Sequence, residues 1–493
     1  MPVTRTSMAA TISRAGWRSA AALAGAAVVA LAGAGAPAAA APIQPADRAA
    51  LQALAPPGLF TWGDEWDGAL GNGSFGTYLS GANAQQVDSP APVALPGGVT
   101  QLVASGTDGI ALLSNGTVAV WGANNEGQLG DGSGDARARP YVLPGLTGIT
   151  QVAEHGSHVI ALDSSGAVWV WGDNHLGQAG NGTHGTDVLS PQRVPGLSGV
   201  VQVAAGGVSD YALKSDGTVL AWGGNTLGEL GDGTTVDRLS PTQVAGLTGI
   251  AKIAAGSYTA YAIRADGSVM AWGDNAGGLL GNGNHTGFAA NPVQVPGLTG
   301  VSQISAGTYR TFALTFAAGT VWAWGGNSEG ELGDGTTTNR YSPEQTGLTG
   351  VSQIAAGDIV TAAVLSNGSV LTWGADSEGE LGTSTRDDNP HPSPVLVRTL
   401  AGASLVAAGF EHVLVIASPA PRIPSVIGYS QSDAAQVLQA AGYVLGRVAV
   451  VVDLTCQYLG EVKTQTPAAG TLDPPGTAVN VTIGKAGGKC LGS

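Results

Sequence analysis

The dipeptide Trp-Gly returns seven times in this chain, at Trp62, Trp121, Trp171, Trp222, Trp272, Trp324 and Trp373, with spacings of 59, 50, 51, 50, 52 and 49 residues. A period this long and this regular marks a chain built from copies of one supersecondary unit, each burying its face against the next. One copy reads Val203-Ala204-Ala205-Gly206, Tyr211-Ala212-Leu213, Asp216-Gly217, Val219-Leu220-Ala221-Trp222-Gly223, Asn225, Gly228, Leu230-Gly231-Asp232-Gly233, Pro241 and Val244. Its apolar blocks are short, rich in β-branched residues and closed by Asp-Gly, Trp-Gly or Pro-Gly, which predicts four short strands per copy.

Four antiparallel strands repeated at this length describe a propeller blade, and seven copies lie within the usual number of blades. The small Ala-Ala-Gly end suits an innermost strand on a crowded axis, and the Trp suits the space between neighbouring sheets. The two ends of the array are complementary. Leu59-Phe60-Thr61-Trp62-Gly63 and Pro92-Val93 supply a third and a fourth strand, while Leu405-Val406-Ala407-Ala408-Gly409 and Val413-Leu414-Val415-Ile416 supply a first and a second. The expected fold class is therefore all-β: a seven-bladed β-propeller closed by N- and C-terminal strands sharing one blade, followed by a small α+β domain.

The pattern Ala-Ala-Gly, Ala-Leu, Asp-Gly, Trp-Gly-x-Asn-x-x-Gly-x-Leu-Gly-Asp-Gly resembles the repeat of the regulator of chromosome condensation family, and the resemblance covers roughly residues 58–418. It implies a seven-bladed propeller without fixing a function, because one fold hosts many activities. The family commonly carries a His three positions after the repeat Gly. In this chain His158 and His412 stand in that register, against Gly109, Ser209, Thr259, Arg310 and Val360 in other copies.

Past Pro419–Pro424 the period ends. Ser430-Gln431-Ser432-Asp433 forms a capping box for a helix running to Ala441, and Gly442 stops it. Strand-like runs follow at Tyr443–Val452 and Ala478–Ile483. From Ile423-Pro424-Ser425-Val426-Ile427-Gly428 to Val479-Asn480-Val481-Thr482-Ile483-Gly484, the segment resembles a PASTA domain, the module appended to penicillin-binding proteins and bacterial Ser/Thr kinases. That resemblance implies association with peptidoglycan.

The two cysteines, Cys456 and Cys490, both fall in this module and are expected to form a disulfide if the chain is exported. Export is indicated by Arg5, Arg14 and Arg18, the apolar run Ala20–Ala36 and the small residues Ala38-Ala39-Ala40. The expected organisation is a signal peptide at 1–40, a mature N-terminal segment at 41–57, the propeller at 58–418, a linker at 419–422, the PASTA-like domain at 423–485 and a tail at 486–493. The expected location is secreted, in association with a bacterial cell wall, with no membrane span after signal cleavage.

A net charge of −15 disfavours nucleic acid and anionic membranes as partners. Enzymatic motifs fail on context. Gly71-Asn72-Gly73-Ser74-Phe75-Gly76 has a dinucleotide-binding spacing and Gly326-Asn327-Ser328-Glu329-Gly330 a nucleophile-elbow spacing, yet each sits in the loop after Trp-Gly rather than at a helix start. The repeats offer no convergent carboxylate or His cluster, no metal-binding spacing and no cofactor motif, so no catalytic residue, metal or cofactor is expected.

Chain direction places the segments after Ala-Ala-Gly and after Trp-Gly on one face, here called upper, and these vary between copies. Asp108, Tyr258, Tyr309, Arg310, Ile359 and Phe410 are the candidate binding residues on it, since aromatic and Arg side chains on rigid loops make binding hot spots. The expected function is a non-enzymatic binding protein that engages an extracellular protein. The alternatives are an inhibitor of extracellular enzymes such as β-lactamases or penicillin-binding proteins, and a propeller enzyme.

Overall fold

The computed structural model describes residues 56–75, 87–316 and 319–487. The expected signal peptide, most of the mature N-terminal segment and Cys490 lie outside them. Seven four-stranded antiparallel sheets are present. Six are continuous in sequence, and we number these blades 1 to 6: residues 99–142, 149–193, 200–243, 250–295, 301–345 and 351–396. Blade 7 is composite. Gly58–Gly63 pairs along its whole length with His412–Pro419, in the order Val87–Val93, Gly58–Gly63, His412–Pro419, Leu400–Ala408. The ring thus closes through backbone hydrogen bonds between residues some 350 positions apart, as the complementary ends predicted.

All seven repeat tryptophans are fully buried. In each case the indole N–H donates to a backbone carbonyl of the preceding blade: Trp121 to Ala69, Trp171 to Gln128, Trp222 to Gln178, Trp272 to Glu229, Trp324 to Leu279, Trp373 to Glu331 and Trp62 to Glu380. One residue type therefore does two jobs. It fills the wedge between adjacent sheets, and its polar tip finds a partner that fixes the angle between them. Gly130, Gly180 and Gly231 lie beside the next blade's indole with positive φ, so a side chain there would clash.

Adjacent innermost strands share no ladder, and a glutamine joins them instead. Gln151 donates to the Val203 carbonyl at 2.9 Å and accepts from the Val203 N–H at 2.9 Å. Gln101 does the same with Val152, Gln202 with Ile253 and Gln353 with Val406. In blade 4 Lys252 takes this position and donates to the Ser302 carbonyl. The innermost strands enclose an axial channel of about 550 Å³.

The C-terminal module holds a helix, Gln431–Ala440, capped by the Ser430 hydroxyl accepting from the Asp433 N–H, and left through Gly442 at φ +84. Its sheet has the order Val444–Asp453, Ala478–Ala486, Val462–Thr466, parallel in the first pair and antiparallel in the second. The third strand had no sequence signal. Ile423, Val426, Ala434, Leu438, Tyr443, Val462, Val479 and Val481 form the core. Cys456 is disulfide-bonded. Arg398, just past blade 6, meets the module at Asp473 with a 2.8 Å ion pair.

Candidate functional site

Each blade brings its first-to-second-strand loop and its third-to-fourth-strand loop to the same rim. The two are tied by one recurring backbone bond. The carbonyls of Thr107, Ser157, Val208, Tyr258, Tyr309, Ile359 and Glu411 accept from the N–H of the residue after Trp-Gly, at 2.7–3.1 Å. Those seven residues therefore occupy equivalent places, and their side chains vary without disturbing the scaffold. Tyr258 and Tyr309 are 41% and 61% exposed, and both border the mouth of the channel. Ile359 is half-buried in the same ring. Phe410 stands one place earlier in its loop and is 37% exposed.

Two candidates do not belong to this surface. Arg310 is 2% exposed, because its guanidinium turns inward to the Glu331 carboxylate at 2.7 Å and to the carbonyls of Gly357 and Asp358 in the next blade. A charge drawn under the rim by three acceptors is a brace between blades 5 and 6, not a docking group. Asp108 is likewise 2% exposed. Strand pairing also changes its register. Opposite the Trp-Gly glycines stand Asp108, His158, Ser209, Thr259, Arg310, Val360 and His412, so Asp108 and not Gly109 is the blade 1 counterpart of the histidines.

The histidines are structural, each buried and bonded to a neighbouring blade. His412 donates from Nε2 to the Asp108 carbonyl at 3.0 Å, and burial depresses its pKa to about 4. His158 meets Asp210 of blade 3 at 3.2 Å. Burial alone would lower the His158 pKa, but the Asp210 charge and hydrogen bond outweigh it and raise the value above the ordinary one.

The expectation that no carboxylates converge is corrected by the channel wall. Glu154 and Asp108, from adjacent blades, are 7% and 2% exposed and lie close enough for the charge of one to act on the other. Burial pushes Asp108 up to about 7. Burial and the Asp108 charge push Glu154 well above the carboxylate range. Next to them a polar chain crosses the mouth: His155 Nδ1 to Ser257 Oγ at 3.5 Å, Ser257 Oγ to Thr308 Oγ1 at 2.9 Å, and the Thr308 hydroxyl to Asp358 Oδ1 at 2.6 Å.

Farther out on the rim Glu126 of blade 1 and Asp173, His175 and Asp187 of blade 2 bring their ligand atoms within 4.8 Å of one another. Their sequence spacing gave no hint of this, since two blades contribute. His175 Nδ1 is already 2.6 Å from Asp173. Ser328 sits in a rim loop after a strand, so the apparent nucleophile elbow has no strand-to-helix turn.

The RCC1-like domain family matches residues 53–347 of the chain. The chain belongs to that family. The RCC1 repeat also matches residues 367–416, and the PASTA domain matches residues 421–485. Among curated relatives, the RCC1-like propeller is 35% identical over 159 residues to the probable E3 ubiquitin-protein ligase HERC4 of Rattus norvegicus, covering 31% of this chain and 15% of that protein. It is 30% identical over 158 residues to the ultraviolet-B receptor UVR8 of Arabidopsis thaliana, covering 31% of this chain and 35% of that one. The matches thus span a small part of these relatives. Human WBSCR16 superposes with a TM-score of 0.65 at 25% identity over 74% of this chain and all of that one. Prp20p of Saccharomyces cerevisiae gives 0.65 at 20% identity over 80% and 97%. No helix among the described residues is long and apolar enough to cross a membrane.

Proposed function

We propose that this chain is an exported, non-enzymatic binding protein, in which the upper rim of the RCC1-like propeller engages a protein partner and the PASTA domain associates with peptidoglycan. The observation that carries the reading is the exposure of Tyr258, Tyr309 and Phe410 on loops whose backbones are held by repeated hydrogen bonds. Large, rigid, amphipathic side chains lose little entropy when they are covered, which suits them to a protein interface. Yeast Prp20p, a propeller of the same fold, is described as binding Gsp1p and histones, so this architecture can present a protein-binding face. For the module, the support is the PASTA match itself.

A non-enzymatic role fits the carboxyl pair as well. A glycosidase-type carboxyl pair needs two acids that both reach the substrate. Only Glu154 borders the channel, while Asp108 is covered.

Two measurements test this reading. Affinity capture from the producing organism's envelope should recover a protein partner with the full chain and lose it on Tyr258→Ala/Tyr309→Ala substitution. Sedimentation with purified peptidoglycan should retain the full chain and not the same chain lacking residues 423–493. Retention unaffected by the deletion would remove the wall-binding half, and an unaltered capture pattern in the tyrosine variant would remove the rim.

A further inference from the structure

The seven blades provide their own control experiment at the channel wall. At the position that pairs with the residue opposite the repeat Trp, blades 1 and 3 to 7 carry Ala104, Ala205, Ala255, Ala306, Ala356 and Ala408. Blade 2 carries Glu154. The fold needs nothing larger than a methyl group there, yet one blade places a carboxyl group at the spot, nine-tenths buried and bordering the channel. Neither Glu154 oxygen receives an N–H or hydroxyl donor, nor does Asp108 Oδ1 beside them. Burying acceptors without donors is unfavourable, and burying two carboxyl groups together is more so. No scaffold role offsets that penalty.

We infer that the upper end of the channel is a receptor for one slender cation, the side-chain ammonium of a lysine presented by the protein partner, with Glu154 as its counter-ion. This inference rests on the protein-binding reading of the rim. Three observations select the ligand chemistry. The channel lining holds Glu154, His155 and Asp358 as its only ionisable side chains besides Tyr258 and Tyr309, with no Lys or Arg among the described residues to satisfy the carboxylates. Asp358 is engaged by the Thr308 hydroxyl, so Glu154 is the open acceptor. Both Glu154 oxygens are without a donor and border the channel, so the N–H groups of an ammonium can meet them.

The walls favour an unbranched stem. Apart from these groups the upper channel is lined by Ala104, Ser105, Gly106, Gly156, Ala205 and Ser257, among other small residues. Tyr258 and Tyr309 stand at the entrance, where their rings can cover a methylene chain and attract a passing cation.

Proton release accompanies binding. The groups that face Glu154 or its neighbours are Asp108 and His158 from the second strands of blades 1 and 2, Asp210 from blade 3, the adjacent His155, and Asp358 across the mouth. Asp210 is already taken by His158, and burial keeps the His155 pKa below its usual value. An entering ammonium therefore favours the ionised form of Glu154, which burial and the Asp108 charge disfavour in its absence, so binding releases a proton and affinity must rise with pH.

The test uses the full chain and titration calorimetry with Nα-acetyl-lysine methylamide, its Nε-acetylated form as a neutral twin, and Nα-acetyl-arginine methylamide. The expected result is saturable binding of the lysine probe at pH 8, at least tenfold weaker at pH 5.5, weaker again for the arginine probe and absent for the neutral twin. Glu154→Ala should abolish binding. That variant installs what six blades already carry and leaves the fold intact, which its melting curve verifies. No saturable binding at pH 8, or equal affinity in Glu154→Ala, overturns the inference. Partner capture separates it from the rim reading. Capture lost in Tyr309→Ala but undiminished in Glu154→Ala overturns the lysine receptor and leaves the rim in place. Probe binding without any partner capture removes the rim reading and assigns the channel to a free amine instead of a protein side chain, which overturns the inference as stated.

Discussion

The tryptophan layer and the channel mouth are tied together by a backbone hydrogen bond in every blade and follow opposite rules. In the layer one residue repeats seven times, makes one hydrogen bond seven times and is buried every time. At the mouth the equivalent places hold Thr107, Ser157, Val208, Tyr258, Tyr309, Ile359 and Glu411, joined only by their backbone carbonyls. In a ring of copies, repetition identifies what the scaffold requires, and departure from the repeat identifies what it does not. Residues that break the pattern at a structural penalty, as Glu154 does, are the ones most in need of a functional reason.

Substitutions can break or sharpen that contrast. Trp222→Ala should produce the largest loss, about 3–5 kcal/mol in denaturant unfolding, because it opens a cavity between blades 2 and 3 and leaves the Gln178 carbonyl unpaired. Arg310→Ala should cost a comparable ~3–5 kcal/mol by stranding the Glu331 carboxylate. Much of it should return in Arg310→Met/Glu331→Gln, and failure to recover would mean that the carbonyls of Gly357 and Asp358 matter more than the charge. Gln202→Ala removes both bonds to Ile253 and should cost about 1–3 kcal/mol.

Glu411→Gln tests the rim in the other direction. Burial first, then the charges of Asp64, Glu380 and Glu378, push its pKa to about 8. A carboxyl group whose folded pKa lies above its unfolded value of roughly 4.3 opposes folding increasingly as pH rises between the two. The variant should therefore melt higher than the parent at pH 8.5 and level with it by pH 4. Taking the difference isolates Glu411 from His412, whose depressed pKa makes the parent lose stability as pH falls from about 6.5 toward 4. The smallest effect is expected for Tyr309→Ala, within about 0.5 kcal/mol of the parent, because the ring is exposed. A large loss there would place Tyr309 with the scaffold and not with the rim.

The sequence on its own determined the parts of this protein that local pattern controls. Alternating apolar blocks closed by Gly turns set the strands, a period near fifty set the blades, complementary ends set the closure, and Ser430 with Asp433 set the start of the helix. Val462–Thr466 escaped because Lys463, Thr464, Gln465 and Thr466 carry no apolar alternation, and only its pairing with Ala478–Ala486 makes it a strand. The position of Asp108, the inward turn of Arg310 and the meeting of Glu154 with Asp108 escaped for another reason. The first depends on the pairing of Asp108 with Gly122 in its own blade, and the other two on what the neighbouring blade presents about fifty residues away, which the curvature of the closed ring fixes. No local spacing encodes it.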